Sequence, residues 1–279
     1  MQNLLLRVIT SILLLPIVLL AFYAGGWFLV ALLLLVVILC SYEVANMVMP
    51  KNNQAAILSC IAGAFLMLSL MYFKKANSIP ALSAIIFVIN MIFLFSQHDK
   101  KIWEKITSIF YMIFYVSLGI SSLYWLRVSE IFNSAYTGLA FIIVACATTW
   151  GNDTFAYFGG RFYGKTPLFS RVSAKKTWEG FFFGALGSIL SIFILYAIFP
   201  LSWIKASLLS FSDCFFIAVP AIVLAPLGDL IESRFKRVYL VKDSSQILPG
   251  HGGFLDRIDG LLVVLPWTAL YAFFIRPLW

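Results

Sequence analysis

Apolar residues along this chain gather into runs of roughly membrane length, separated by charge, proline or glycine. The runs lie at 4–23, 27–45, 55–73, 80–95, 106–126, 138–150, 178–199, 215–231 and 258–275. A hydrocarbon core of ~30 Å is crossed by ~20 apolar residues in helical conformation, because lipid offers the backbone no hydrogen-bond partners. The pattern therefore predicts an all-α polytopic membrane protein with about nine transmembrane helices, the sixth unusually short.

Composition agrees, with 62% of residues hydrophobic and 11% charged, far from a soluble domain. The first run follows Arg7 and lacks a clear small-residue cleavage site, so it reads as an uncleaved span. Cytoplasmic loops collect Lys and Arg. With the N-terminus inside, nine spans place Arg7, Lys51, Lys100, Lys101, Lys105, Arg161, Lys165, Arg171, Lys175, Lys176, Arg234, Lys236, Arg237, Lys242 and Arg257 on the cytoplasmic side. Lys74, Lys75, Arg127, Lys205 and Arg276 remain outside. The expected topology is N-in and C-out. This bias accounts for the net charge of +8 and argues against nucleic acid as a partner, while anionic lipid head groups and nucleotides stay open.

Cys40, Cys60, Cys146 and Cys214 lie singly in or beside apolar runs and read as packing residues. The sequon at Asn152 is discounted because it falls at the cytoplasmic end of a span. No internal repeat is evident and no loop is long enough for a soluble domain, so residues 1–279 form a single membrane domain. Within it, 1–147 is mainly scaffold helices, and 148–279 is the catalytic region with cytoplasmic loops 159–177 and 234–257.

Two polar segments carry the candidate chemistry. "GGRFYGKTPLFSRVSAKKTWEG", residues 159–180, is rich in glycine and base and closes on a helix start. Such loops attract phosphate oxygens, and they also serve as topology signals. The second segment begins inside the eighth run, where Asp229, Glu232, Ser233, Lys236 and Arg237 fall on one helical face. Acids at a membrane-embedded helix end need a cation, a partner or water. Asp256 and Asp259, at i and i+3, add two more at the same level. Four convergent carboxylates suit Mg²⁺, which takes a few acidic ligands together with substrate phosphates and water. Arg257 and Lys242 stand ready for anionic oxygens. Gly250, Gly252 and Gly253 allow close backbone approach and a sharp turn, and His251 fits a binding or bracing role better than metal ligation. Gly180 and Gly184 form a GxxxG step that packs two helices or two subunits closely.

The stretch "SRFKRVYLVKDSSQILPGHGGFLDRID", residues 233–259, resembles the signature of the phosphatidate cytidylyltransferases, also called CDP-diglyceride synthetases. Asp153, Ala156 and Tyr157 ahead of the glycine-rich loop, with "KKTWEG" at 175–180, are similar to the same family. Ala174 departs from it, standing where many relatives have proline. The resemblance implies a membrane enzyme that joins CTP and phosphatidic acid into CDP-diacylglycerol and pyrophosphate, with Mg²⁺ and a second, monovalent cation such as K⁺. It also implies a homodimer, in the cytoplasmic membrane of a prokaryote, with its site facing the cytoplasm. On this reading Asp229 and Asp256 hold metal, with Glu232, Ser233 and Asp259 in or just behind its coordination sphere. Lys236, Arg237, Lys242 and Arg257 hold phosphates, and Asp243 orients Lys242. Asp153, Lys175, Lys176, His251, Gly252 and Gly253 contact substrate. Two rivals compete: a cation-coupled transporter, which should show repeat symmetry and broken helices, and a CTP-dependent lipid kinase, whose alcohol acceptor would require a base.

Overall fold

In the computed structural model, residues 2–71, 100–129, 135–169, 173–199, 209–248, 250 and 252–278 are described. The apolar run at 80–95, His251, Arg171, Lys74, Lys75 and Lys205 lie outside them. The helices are α1 (Gln2–Ala24), α2 (Gly26–Val48), α3 (Asn53–Met71), α4 (Lys100–Val128), α5 (Ala135–Tyr163), α6 (Trp178–Ile198), α7 (Phe211–Val238), the single turn α8 (Leu255–Ile258) and α9 (Leu261–Leu270). A π-helical turn, Tyr271–Ile275, continues α9. Six described helices are long and apolar enough to cross a membrane, and Ile12–Ala24 and Leu261–Ile275 are shorter apolar helices. The chain is therefore an all-α polytopic membrane protein with one small antiparallel hairpin, β1 (Pro167–Phe169) and β2 (Ser173–Thr177).

Two boundaries differ from those read in the sequence. The short sixth run is the apolar part of a 29-residue helix, α5, which carries Asp153, Gly159 and Gly160 as its last turns. Its polar residues project from a continuous helix end, and the loop begins at Gly164. Likewise α7 runs to Val238, so Ser233–Arg237 are helical and the second loop is shorter than 234–257. Polar residues near a membrane surface interrupt hydropathy without interrupting backbone hydrogen bonding, which is why the runs end before the helices do.

Several polar groups inside the bundle are satisfied locally. Ser69, Thr148, Thr149, Ser191 and Thr268 return hydrogen bonds to carbonyls four residues back. Pro220 in α7 cannot donate to Phe216, and Trp267 Nε1 from α9 takes that freed carbonyl at 3.0 Å. The GxxxG step packs within the chain: a Cβ at Gly184 would meet Asn152 and Ala156 at 3.0–3.1 Å, and one at Gly187 would fall closer still to Gly151 and Phe155 of α5. Glycine thus lets α5 and α6 lie nearly backbone to backbone.

At one end of the bundle Arg127 donates to the carbonyls of Phe22 and Tyr23 at the end of α1. At that end too, Gly138 packs on Leu126, and Arg276 lies over Phe141 and pairs with Asp213 at 3.2 Å. The 28 residues of α7 extend about 42 Å at 1.5 Å per residue, carrying the chain from Asp213 to the charged stripe at the opposite end.

Candidate active site

The site is assembled from the cytoplasm-predicted ends of α5, α6 and α7, the hairpin, and the segment entering α9. Thr177 caps α6 by accepting from Gly180 N at 3.1 Å. Glu179, in the first turn, accepts from Lys165 N (3.1 Å), Thr166 N (3.2 Å) and Thr166 Oγ1 (3.0 Å), fastening the hairpin to the helix start. The hairpin in turn delivers Lys175 and Lys176.

A cavity of about 520 Å³ opens here, and Asp153, Arg161, Lys175, Lys176, Asp229, Asp256 and Asp259 supply its charged lining. Tyr157, Leu168, Phe181 and Pro226 form an apolar wall beside them. Lys176 Nζ pairs with Asp229 Oδ2 at 2.8 Å and donates to the Pro226 carbonyl at 3.1 Å. Ser233 Oγ donates to Asp229 Oδ1 at 2.9 Å, as their i,i+4 spacing on α7 allows. Lys236 reaches Asp256 Oδ1 at 2.5 Å and Glu232 at 3.2 Å. Asp256 Oδ2 accepts from the backbone of Ser244 and Gly253 at 3.2 and 3.1 Å. Burial opposes the charged form of Asp256, but the neighbouring Glu232 and Lys236 side chains and the Gly253 N–H outweigh it and hold the carboxyl at about 2.

Three of the expected phosphate ligands, Arg237, Lys242 and Arg257, are exposed, as is Asp243, and none lines the cavity. The helical stripe therefore divides: Asp229 faces the cavity, Glu232 and Lys236 stand behind Asp256, and Arg237 points to the surface. Gly252 has φ +86°, a conformation side chains resist, and a Cβ at Gly253 would fall on Ser244 Oγ.

One participant goes unnoticed in the sequence. Glu43, fully buried on α2, accepts hydrogen bonds from Ser244 Oγ (3.0 Å), Ser245 Oγ (2.5 Å), Phe254 N (2.8 Å) and Leu255 N (3.0 Å). Its signal was a single acid inside the second apolar run, which lipid makes costly unless it has a task. Tyr115 of α4 also reaches the site, donating to the Asp259 carbonyl at 3.3 Å.

Among the described residues, no three acid, histidine or cysteine groups close around a point as a complete metal cage would. Two observations nevertheless fit a divalent cation. The buried Glu232 carboxylate has Lys236 3.2 Å from Oε1, while Oε2 has no hydrogen-bond partner. With the adjacent Glu232, the cavity's four carboxylates outnumber Arg161, Lys175, Lys176 and the adjacent Lys236 by one, and a site without net positive charge holds a polyanion best in company with cations.

A bundle of apolar helices that gathers acids and bases around one cavity with an apolar wall has the form of a membrane enzyme for phosphate-bearing substrates. A family model described as "Cytidylyltransferase family" matches residues 5–275, and the chain belongs to that family of nucleotidyltransferases. Among similar proteins, the phosphatidate cytidylyltransferase of Bacillus subtilis is 35% identical over 205 residues, 73% of this chain and 72% of that protein. That of Thermotoga maritima is 34% identical over 66% of each chain, and that of Haemophilus influenzae 37% identical over 54% of this chain and 51% of its own.

Proposed function

We propose that this chain transfers the cytidylyl group of CTP to phosphatidic acid, giving CDP-diacylglycerol and pyrophosphate. The observation that carries the reading is the cavity. Residues far apart in the sequence, Asp153, Lys175 and Lys176 on one side and Asp229, Asp256 and Asp259 on the other, line one space that also has an apolar wall. One substrate is a lipid and the other an aqueous polyanion, and a mixed lining at a helix-bundle end accommodates both. The relatives' names supply the substrate.

An oxygen of the phosphatidate monoester, ionised near neutral pH, attacks the α-phosphorus of CTP. A new P–O bond forms, the bond from the α-phosphorus to the bridging oxygen breaks, and pyrophosphate departs with that electron pair. No general base is needed, so the protein's task is alignment and charge stabilisation. Asp229, Asp256 and Asp259, with Glu232 and Ser233 behind them, would hold Mg²⁺, which when bound neutralises phosphate charge. Lys175 and Lys176 hold phosphate oxygens, Lys176 exchanging its contact with Asp229 for one to substrate. Lys236 keeps Asp256 aligned. The cytoplasm lies on the site side of the membrane, with the N-terminus inside.

Product analysis separates this from the lipid-kinase alternative. Purified protein given CTP and phosphatidic acid should release pyrophosphate and CDP-lipid in equal amounts. Release of CDP with phosphorylation of a lipid alcohol, and no CDP-lipid from phosphatidate, would contradict it.

A further inference from the structure

We propose that Glu43, on the second helix, is a positioning residue that sets the Asp256 carboxylate through Ser244 and the glycine-rich segment; the idea rests on the cytidylyltransferase reading above. The carboxylate is 0% exposed, and a buried charge persists in a membrane protein only where its hydrogen-bonding capacity is met. Four donors meet it, all from residues 244–255 and all more than 200 positions away in sequence. They come from both ends of that segment: Ser244 and Ser245 as the chain leaves α7, Phe254 and Leu255 as it enters α8. Glu43 thus clamps the loop shut at its base.

What the clamp controls is Asp256. Ser244 Oγ lies 3.0 Å from Glu43 Oε2 and 3.1 Å from Asp256 Oδ2. Its single hydrogen serves one carboxylate at a time, so the hydroxyl couples the two. The backbone N–H groups of Ser244 and Gly253 also point at Asp256 Oδ2, and both belong to the clamped segment. A Cβ at Gly253 would stand 2.8–2.9 Å from the Glu43 oxygens, so the loop has no room to close over Glu43 with any larger residue there. Asp256 Oδ1 is held separately by Lys236. One oxygen is therefore fixed from α7 and the other, through Ser244, from α2. Carboxylates oriented in this way from outside the coordination sphere commonly change metal affinity or turnover by ~10–100-fold when the support is lost.

Glu43→Gln tests this with little change in volume, since its amide nitrogen presents donors to groups that themselves donate. The parent, Glu43→Gln, Ser244→Ala and the double variant would be compared in detergent for kcat, for KM of CTP and of phosphatidate, for the Mg²⁺ concentration giving half-maximal rate, and for hydrogen exchange across residues 244–255. The expected result is faster exchange confined to that segment, a ~10–100-fold loss in kcat or rise in the Mg²⁺ requirement, and little change in phosphatidate KM. The double variant should fall short of the product of the two single effects, because the two side chains share the Glu43–Ser244 contact. Unchanged exchange and turnover in folded Glu43→Gln would overturn the proposal. So would looser exchange with unaltered kcat and Mg²⁺ requirement, which would leave a loop anchor and no positioning role, and so would single effects that multiply. Should Glu43→Gln fail to fold, Ser244→Ala carries the same expectation, and its unimpaired turnover would refute the coupling. If the parent itself makes no CDP-lipid from competent substrates, the cytidylyltransferase reading fails, and the exchange comparison still decides whether Glu43 holds the segment.

Discussion

Asp256 is the residue on which most of the site converges, with Lys236 on one oxygen and the Ser244–Gly253 backbone on the other. Asp256→Asn keeps the shape but removes the charge that Lys236 balances, and turnover should fall at least ~100-fold while the protein remains folded; the check is kcat beside a melting curve. Because its carboxyl sits at about 2, below the ordinary ~3.9, the stability it contributes is present above that ordinary value and is lost as pH falls through about 2. Titrating from about pH 8 to about pH 5 should accordingly leave unaltered the stability difference between parent and Asp256→Asn. Gly253→Ala would drive a methyl onto Ser244 Oγ, with an expected cost of ~1–3 kcal/mol read from thermal or denaturant unfolding. Asp229, Asp256 and Asp259 were legible in the sequence because acids repeated at helical spacing beside apolar runs are costly in lipid and so mark a polar site. Glu43 showed only as a lone acid in an apolar run, since its partners lie more than 200 residues away and no local pattern marks them.

Among elements, the hairpin and α7 show how far pattern reading reaches. Sequence placed Lys175 and Lys176 in a basic loop before a helix start, and both line the cavity, but neither the hairpin nor the Glu179 clamp on Lys165 and Thr166 has a periodicity to announce it. Glu179→Ala should loosen residues 164–177 in hydrogen exchange and raise KM for CTP several-fold, with the spans unaffected. On α7 the helical period put five polar residues on one face, yet only Asp229 reaches the cavity, because the face is wide and α8 covers part of it. Arg237 therefore stands apart, exposed, and Arg237→Gln should cost far less turnover than Lys236→Gln, a contrast that parallel rate measurements would show. At the other end, Asp213 joins Ser210 in a capping box and accepts from Tyr271 and Arg276. Asp213→Ala should lower stability by ~2 kcal/mol and leave turnover per folded molecule intact.

At the scale of the whole molecule, hydropathy and charge were sufficient for the class of fold, since lipid admits few alternatives to helices. The two halves foreseen as scaffold and catalytic region are less separate than their composition suggests. Glu43 and Tyr115 bring α2 and α4 to the loop and to Asp259, so the first half contributes to the site's geometry. Function is legible here because the signature at 233–259 is long and fixed in spacing, and the cavity gathers its acids with the upstream lysines. The most direct measurement is CDP-lipid and pyrophosphate formation from CTP and phosphatidic acid by the purified chain, with and without Mg²⁺, alongside Asp229→Asn and Asp256→Asn. Mg²⁺-dependent, equimolar products are expected from the parent, and at least ~100-fold less from either folded variant. Undiminished product from both variants would contradict the placement of the reaction in this cavity, and its absence from well-folded parent protein would contradict the reaction itself.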